Sequence, residues 1–233
     1  MRLHEDCQMG SAAQVLRLPG QVGNGVDMFR EMRRKGQQIT TEECMEILQR
    51  ATSGVLGVYG DDGYPYTVPL SFVYTPPGPA DNRDVTADSA KKGPAEGGAS
   101  AKSPDSSAGL GTIGFHCAKT GHKIDGIRRN EKVSFTVIDR DEIMPKERTT
   151  KFCSVIAFGR ARILEGEENL RRAANKVGAK YSAGYEDLYM EETEDTIRRG
   201  TLCCVEITID HMTGKIGKEI LKERNLQKYV RAE

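Results

Sequence analysis

The stretch VLGVYGDDGYPYTVPLSFVY, residues 55–74, decides the fold. A short apolar run is followed by the turn sequence Asp61-Asp62-Gly63 and then by a second run of strand-forming residues, which predicts a β-hairpin. Pro65 and Pro69 have no backbone N–H to give to a ladder. The second strand is therefore expected at a sheet edge, at a bulge, or with its backbone free for another partner.

Further strand-like runs follow this hairpin along the chain. Together with the hairpin they predict six strands, at residues 55–59, 64–74, 112–117, 133–138, 152–164 and 202–209, with a bend in the fifth at Gly159. The connections are short enough to make neighbouring strands mostly antiparallel. The sequence thus predicts a mainly β fold, a small barrel with helices around it.

Four helices are expected between and before the strands. Thr40-Thr41-Glu42-Glu43 offers a capping box, and Cys44, Ile47, Leu48 and Ala51 then recur at helical spacing. The other helical stretches are Gly121 to Asn130, 167–181 and 189–199.

The packed domain is expected to span 28–217, with one insertion inside it and one further segment on each side. Residues 1–27 show no helical or strand period and are expected to be a poorly ordered extension, with Met28 as a candidate start. Residues 76–109 are mostly Gly, Ala, Ser and Pro, which predicts a disordered insertion at a hairpin tip. Residues 218–233 are basic and polar and are expected to form a C-terminal tail.

Composition excludes several classes of function. The chain has 34 Lys plus Arg and 34 Asp plus Glu, so it lacks the positive field of a general nucleic-acid binder. The chain contains no Cys-x-x-Cys pair, so a structural zinc site is not expected. The adjacent Cys203 and Cys204 argue against a disulfide framework, because neighbouring side chains of a strand point to opposite faces. No apolar run is long enough to span a membrane. We therefore expect a soluble cytoplasmic protein with no metal, nucleic-acid or membrane partner.

Charge, glycine and a helix start coincide in the segment from His116 to Asn130. Its cations far outnumber its one acid, Asp125. A strand ending at Cys117, a turn with Gly121 and a helix carrying Lys123 in its first turn would aim backbone N–H groups at an anion such as phosphate.

Two interpretations of these cations remain open from the residues alone. They could hold an anion, or they could be the solvated face of a short helix. His116 could be a ligand or a hydrogen-bonded structural residue. Cys117 and Cys153 are expected to be core or pocket-wall thiols, since both lie in apolar strand runs.

Four motifs in order resemble a known family. They are residues 56–74, Phe115 to Lys123, Arg128-Arg129-Asn130 and Ser154 to Gly159. The sequence is similar over about Met28 to Gly217 to the pyridoxamine 5′-phosphate oxidase-like FMN-binding split barrels, in particular the nitroimidazole-resistance branch. The resemblance implies a six-stranded antiparallel Greek-key split barrel that forms a homodimer with FMN at the subunit interface.

The resemblance also implies the cofactor-binding residues. One set would lie along the isoalloxazine ring: Val68, Pro69, Leu70 and Ser71, with Ser154 facing the cofactor from a neighbouring strand. The other set would surround the ribityl phosphate: His116, Cys117, Lys119, Gly121, His122 and Lys123. No catalytic side chain is assigned.

The function implied is that of an FMN-dependent oxidoreductase acting on a small-molecule electron acceptor, with nitroaromatics such as 5-nitroimidazoles as candidates. The chain has no Trp and lacks the Trp-containing C-terminal signature of true pyridoxamine phosphate oxidases, so vitamin B6 oxidation is not expected. The alternatives are a non-catalytic flavin-binding or ligand-sensing protein and, if the cations only face solvent, an interaction domain without cofactor.

Overall fold

The computed structural model describes residues 29–78 and 109–230, with side chains described up to residue 227. The predicted extension 1–27 and nearly all of the predicted insertion 76–109 lie outside them. All helices and strands of this part lie in the compact unit that begins at Met32. Its strands are β1 (Gln38–Ile39), β2 (Ser53–Tyr59), β3 (Pro65–Ser71), β4 (Val73–Thr75), β5 (Thr112–Ala118), β6 (Lys132–Met144), β7 (Thr149–Ile163) and β8 (Leu202–Ile216). Its α-helices are α1 (Thr41–Arg50), α2 (His122–Arg129), α3 (Glu167–Tyr181), α4 (Glu186–Arg198) and α5 (Lys218–Val230).

The strands form one antiparallel sheet in the order β3-β2-β6-β7-β8-β5-β4, and β1 pairs with β8. Its two outermost strands, β3 and β4, are separated in the chain by Phe72 alone. One continuous segment therefore pairs with β2 through its first half and with β5 through its second half. The sheet thus returns on itself through the chain at Phe72.

The predicted fold class, mainly β with an antiparallel split barrel and peripheral helices, is confirmed. The predicted number of strands was wrong, because the described residues contain eight rather than six. The single strand expected over 64–74 is divided at Phe72 into β3 and β4. The two-residue strand β1 is too short to leave a period in the sequence.

The division at Phe72 is stabilised from helix α3. The N–H of Phe72 donates to the hydroxyl of Tyr181 at 2.8 Å, and that hydroxyl lies 2.5 Å from the carbonyl oxygen of Thr52. The ammonium of Lys180 donates to the Phe72 carbonyl at 3.0 Å and lies 4.4 Å from the centre of its ring. Burial lowers the pKa of Lys180. The helix therefore supplies the hydrogen bonds that the interrupted ladder does not.

The strands bury one face each around a common core. The largest fully buried side chains come from five of the strands, from helices α1 and α2 and from the link between β3 and β4: Phe72, Phe115, Phe135, Leu48, Leu56, Ile113, Ile124, Ile207, Ile216, Val137, Val155 and Val205. The predicted bend in β7 is confirmed, since its register with β8 shifts between Phe158 and Gly159. A Cβ at Gly159 would overlap the carbonyl oxygen of Thr208, so the bend requires glycine there.

The helices match the predictions except at the C-terminus. The capping box of Thr40 and Glu43 is present at the start of α1, and α3 has the predicted bounds. Residues 218–230, expected to be part of a tail, instead form α5. That helix buries Ile220, and its other residues leave no apolar stripe that the sequence would show. No helix in the described ranges is long and apolar enough to cross a membrane.

Candidate functional site

The start of helix α2 lies just after the end of strand β5, beside the beginning of strand β8. Gly121 precedes the helix with φ 124° and ψ 165°, a conformation that L side chains rarely adopt. Within the described residues, no side chain caps this helix start. The first N–H groups of an α-helix have no partner inside the helix. In α2 the N–H of Ile124 donates to the Gly121 carbonyl at 2.9 Å, whereas those of His122 and Lys123 have no partner among the described residues and are open to a ligand.

Three cations surround this helix start. Lys119, Lys123 and Arg128 each lower the pKa of the Cys203 thiol, which places all three near it. A guanidinium nitrogen of Arg128 donates to the Lys119 carbonyl at 3.2 Å, and the other lies 3.4 Å from Asp125. Among the residues that the structure describes, Lys119 and Lys123 have no carboxylate partner. The cluster therefore carries an excess of positive charge.

Two thiols lie opposite each other beneath these cations. Cys117 of β5 and Cys203 of β8 are direct register partners, and Cys203 is 3% exposed. A hydrogen bond from Cys117, followed by the charges of Arg128, Lys119 and Lys123, lowers the pKa of Cys203 to about 7. The same hydrogen bond and burial raise the pKa of Cys117. Of the two thiols, Cys203 is therefore the one that ionises more readily.

The ring of His122 is engaged elsewhere. It stacks on Tyr66 of β3 with centroids 4.0 Å apart, and its Nε2 lies 3.4 Å from a carboxylate oxygen of Asp61. The other oxygen of Asp61 accepts from Arg129, which also reaches the Tyr59 carbonyl at 3.5 Å. His122 and Arg129 thus tie helix α2 to the β2–β3 turn. His116 is exposed on β5, in register with Cys204.

Strand β3 presents the other predicted residues on two faces. Val68 and Leu70 are half-buried and pack against the core, whereas Pro69 and Ser71 are exposed. In the described part of the chain β3 pairs only with β2, so Pro69 lies on an edge strand, which is one of the three arrangements that the sequence left open. The stacking of His122 on Tyr66 connects this edge to the start of α2.

Ser154 lies on the outward face of β7, which is shared with β2, β3 and β6. A single row across the sheet runs through Pro69, Val55, Thr136 and Ile156 by register. Val55, Ile156 and Phe158 are 36%, 39% and 38% exposed on this face. The structure therefore groups Pro69, Ser71 and Ser154 on one uncovered, largely apolar sheet face. It groups Cys117, Lys119, Gly121 and Lys123 at the start of α2.

Sequence reasoning missed four residues that contribute to these surroundings. Arg128 stands in a quoted motif, yet its approach to Lys119 follows only from the helix geometry. Cys203 becomes visible only through the β5–β8 register. Ile156 and Phe158 alternate with buried residues along β7, a period-two signal that was present in the sequence.

A second cluster of cations lies at the other end of β8. It borders a cavity of about 240 Å³ lined by Glu43, Glu46, Ile47, Arg50, Asp139, Arg140, Cys153, Ile216, Ile220 and Arg224. Arg50 makes two hydrogen bonds to Asp139, at 3.0 and 2.7 Å. Arg224 lies 2.5 Å from Glu43, and Arg140 lies 2.6 Å from Glu142. Each guanidinium here has its own carboxylate.

Solved structures with a similar fold come from several bacteria. A conserved hypothetical protein from Mycobacterium tuberculosis is 17% identical, with 82% of this chain and 92% of that chain covered and a TM-score of 0.55. A flavocytochrome from Azotobacter vinelandii is 15% identical, with 83% and 75% covered and a TM-score of 0.55. A protein proposed to confer 5-nitroimidazole antibiotic resistance, from Bacteroides thetaiotaomicron, is 18% identical, with 77% and 86% covered and a TM-score of 0.48. At these identities the likeness to the first two structures shows the fold alone.

Comparisons of sequence show the family. No curated protein matches this chain. A family model described as pyridoxamine 5′-phosphate oxidase matches residues 40–216, which is well over half of the chain and includes the start of α2, strand β3 and the outward face of β7. The chain belongs to the pyridoxamine 5′-phosphate oxidase family.

Proposed function

We propose that this protein binds FMN, with the flavin phosphate at the start of helix α2. The observation that carries the proposal is the unbalanced cation cluster of Lys119, Lys123 and Arg128 around an uncapped helix N-terminus. A phosphate monoester is a dianion, and such a donor set suits it. Each charge-assisted hydrogen bond contributes about 1.5 to 3 kcal/mol. The residues present therefore fit the phosphate of the cofactor that the family implies.

The edge of β3 would accommodate the isoalloxazine ring. Pro69 and Ser71 are exposed on that strand, and the backbone of its free edge is available for the polar side of a flat heterocycle. The outward face beside it is apolar at Val55, Ile156 and Phe158. A second copy of the chain packed on this face would exclude water from the ring and bring Ser154 to the interface. These features support a homodimer with the cofactor between its subunits.

The activity we propose is that of an FMN-dependent oxidoreductase. Flavin, when bound, supplies the transfer of hydride or single electrons. The chain's own residues bind and orient it and shield it from water. The sequence resemblance suggests a small nitroaromatic acceptor such as a 5-nitroimidazole. The described cysteines are all free, in keeping with a reducing, cytoplasmic setting.

A spectrum and a mass spectrum of the purified protein test this proposal. We expect absorbance near 450 nm and release of FMN on denaturation, rather than FAD or no flavin. NAD(P)H should bleach the band without oxygen, and a nitroimidazole should restore it. A bound FMN that no donor reduces would point to the flavin-binding or sensing alternative. A protein that neither contains nor takes up flavin would refute the proposal.

A matched pair of variants locates the site. Lys123→Ala should abolish or strongly weaken FMN uptake, because it removes a cation from the helix start. Lys132→Ala removes an exposed lysine at the start of β6 and should leave uptake unchanged. Equal FMN affinity in the two variants would place the phosphate elsewhere.

A further inference from the structure

The thiols of Cys117 and Cys203 are positioned to form a bond with each other. They are register partners on neighbouring antiparallel strands, and both belong to the inward-facing side of the barrel wall. Directly opposed residues of such strands have Cα atoms about 4.5 to 5.5 Å apart. Disulfides bridge Cα separations of about 4.4 to 6.8 Å. The backbone therefore needs no rearrangement for the two sulfur atoms to join.

The surroundings of this pair favour a reactive thiolate. Lys119, Lys123 and Arg128 from the α2 region face Cys203, and the Cys117 thiol donates a hydrogen bond to it. The neighbouring Cys204 has no such support, because it lies on the opposite face of β8 and burial raises its pKa to about 12. A thiolate near neutral pH is the nucleophilic form of cysteine.

A second cysteine pair in the same barrel provides an internal contrast. Cys153 also lies close enough to Cys44 to raise its pKa. Burial raises the pKa of Cys44 to about 12 and that of Cys153 to about 11. Proximity of two thiols is therefore not what distinguishes Cys117 and Cys203. The pKa of Cys203 is lowered first by the hydrogen bond from Cys117 and then by the three cations, whereas at Cys153 burial and Asp139 outweigh Arg50 and Arg224.

We propose that Cys117 and Cys203 are a redox-active pair that hydrogen peroxide converts into an intramolecular disulfide. The thiolate of Cys203 attacks one peroxide oxygen, forming an S–O bond as the O–O bond breaks, and the departing hydroxide takes up a proton to become water. The sulfur of Cys117 then attacks that of Cys203. The S–O bond breaks, and the hydroxyl leaves with the Cys117 proton as a second water. Two thiols are oxidised by two electrons, and one peroxide is reduced to two waters.

The proposal extends beyond flavin binding, and its test uses protein freed of flavin, because a phosphate bound by the same cations would raise the pKa of Cys203 and slow the reaction. Peroxide is little larger than two water molecules, so it suits a pair in which Cys117 is half-buried and Cys203 is buried. The rate should rise with pH as Cys203 ionises. The charged and titratable groups that act on Cys203 are Cys117, Lys119, Lys123 and Arg128.

The test is peroxide treatment of the full-length protein, followed by alkylation, digestion and mass spectrometry without reduction. We expect a β5 peptide joined to a β8 peptide and a fall in titratable thiols from six to four. The Cys204→Ser variant should keep the cross-link, which assigns it to Cys203. The rate of thiol loss should increase between pH 6 and pH 8.

Serine variants, close in size to cysteine, complete the test. Cys117→Ser should leave a sulfenic acid on Cys203, seen as the added mass of one oxygen atom on the intact protein, and Cys203→Ser should form no cross-link. The double variant Cys44→Ser, Cys153→Ser should react like the wild-type protein. A wild-type protein that retains six thiols, or that cross-links through other cysteines or between molecules, would overturn the proposal.

Discussion

The two ends of strand β8 both collect cations, yet only one of them balances their charge. Around Cys153 and Ile216, Arg50, Arg140 and Arg224 each have a carboxylate partner. Around Cys203, Lys119 and Lys123 have none among the described residues, and Arg128 has a single contact of 3.4 Å with Asp125. The first cluster ties helix α5 to helix α1, and helix α1 to the sheet. The second retains charge for an external anion.

This difference shows why a run of cations in a sequence is ambiguous. What decides its role is whether carboxylates from distant segments approach it, and that depends on the fold. Arg50 meets Asp139 across 89 residues, and Arg224 meets Glu43 across 181. The comparison therefore predicts that substitutions in the two clusters have different effects on FMN affinity and on stability.

The largest effect is expected on removing the unpaired charges. The double variant Lys119→Ala, Lys123→Ala should weaken FMN binding by about 100-fold or more, since each charge-assisted hydrogen bond contributes about 1.5 to 3 kcal/mol. Quenching of FMN fluorescence on titration measures this. Arg140→Ala at the paired end is the control and should leave FMN affinity unchanged. Equal losses in the two proteins would mean that pairing does not separate the clusters.

A carboxylate introduced at the unpaired cluster should convert it toward the paired type. Thr120 is exposed between Lys119 and Gly121. Thr120→Glu should lower FMN affinity about tenfold, which corresponds to about 1.4 kcal/mol. Thr120→Gln has nearly the same shape without the charge and should bind like the wild-type protein. If both substitutions weaken binding alike, shape rather than charge is responsible.

Breaking a pair at the other end should affect stability instead of binding. Arg50 is well exposed and Asp139 mostly buried, so solvent screens much of their interaction. Arg50→Ala should lower the free energy of unfolding by about 0.5 to 1 kcal/mol, measured by urea denaturation. FMN affinity should not change. A variant of unaltered stability but weaker binding would reverse the assignment of the two ends.

The smallest effect is a dependence of FMN affinity on pH. As pH rises through about 7, Cys203 ionises and places a negative charge beside Lys119, Lys123 and Arg128. The affinity for FMN should therefore fall a few-fold between pH 6.5 and pH 8.5, beyond any change in the phosphate itself. In Cys203→Ser this fall should be absent. An affinity that rises with pH more in the wild-type protein than in the variant would contradict the arrangement.

Much of the fold was predictable because its signals are local. The hairpin follows from its turn residues, helix α1 from the Thr40 capping box, and the bend in β7 from Gly159. The division of the second strand at Phe72 was not predictable, because Tyr181 and Lys180 supply its hydrogen bonds from 109 and 108 residues away. Helix α5 was missed for lack of an apolar stripe.

The candidate site was predictable as a segment but not as an arrangement. The residues from His116 to Lys123 stand out in the sequence by charge and glycine. That His122 stacks on Tyr66, whereas Lys119 and Lys123 remain unpaired, depends on the approach of α2 to the β2–β3 turn. The partnership of Cys117 and Cys203 depends on the register of β5 with β8, which no local pattern fixes.

The most direct measurement compares the binding of FMN with that of riboflavin, which has the same ring system and no phosphate. If the start of α2 holds the phosphate, wild-type protein should bind FMN at least 100-fold more tightly than riboflavin. In Lys119→Ala, Lys123→Ala this preference should nearly vanish. Equal affinity of the wild-type protein for the two flavins, or a preference for FMN that survives in the double variant, would contradict the account.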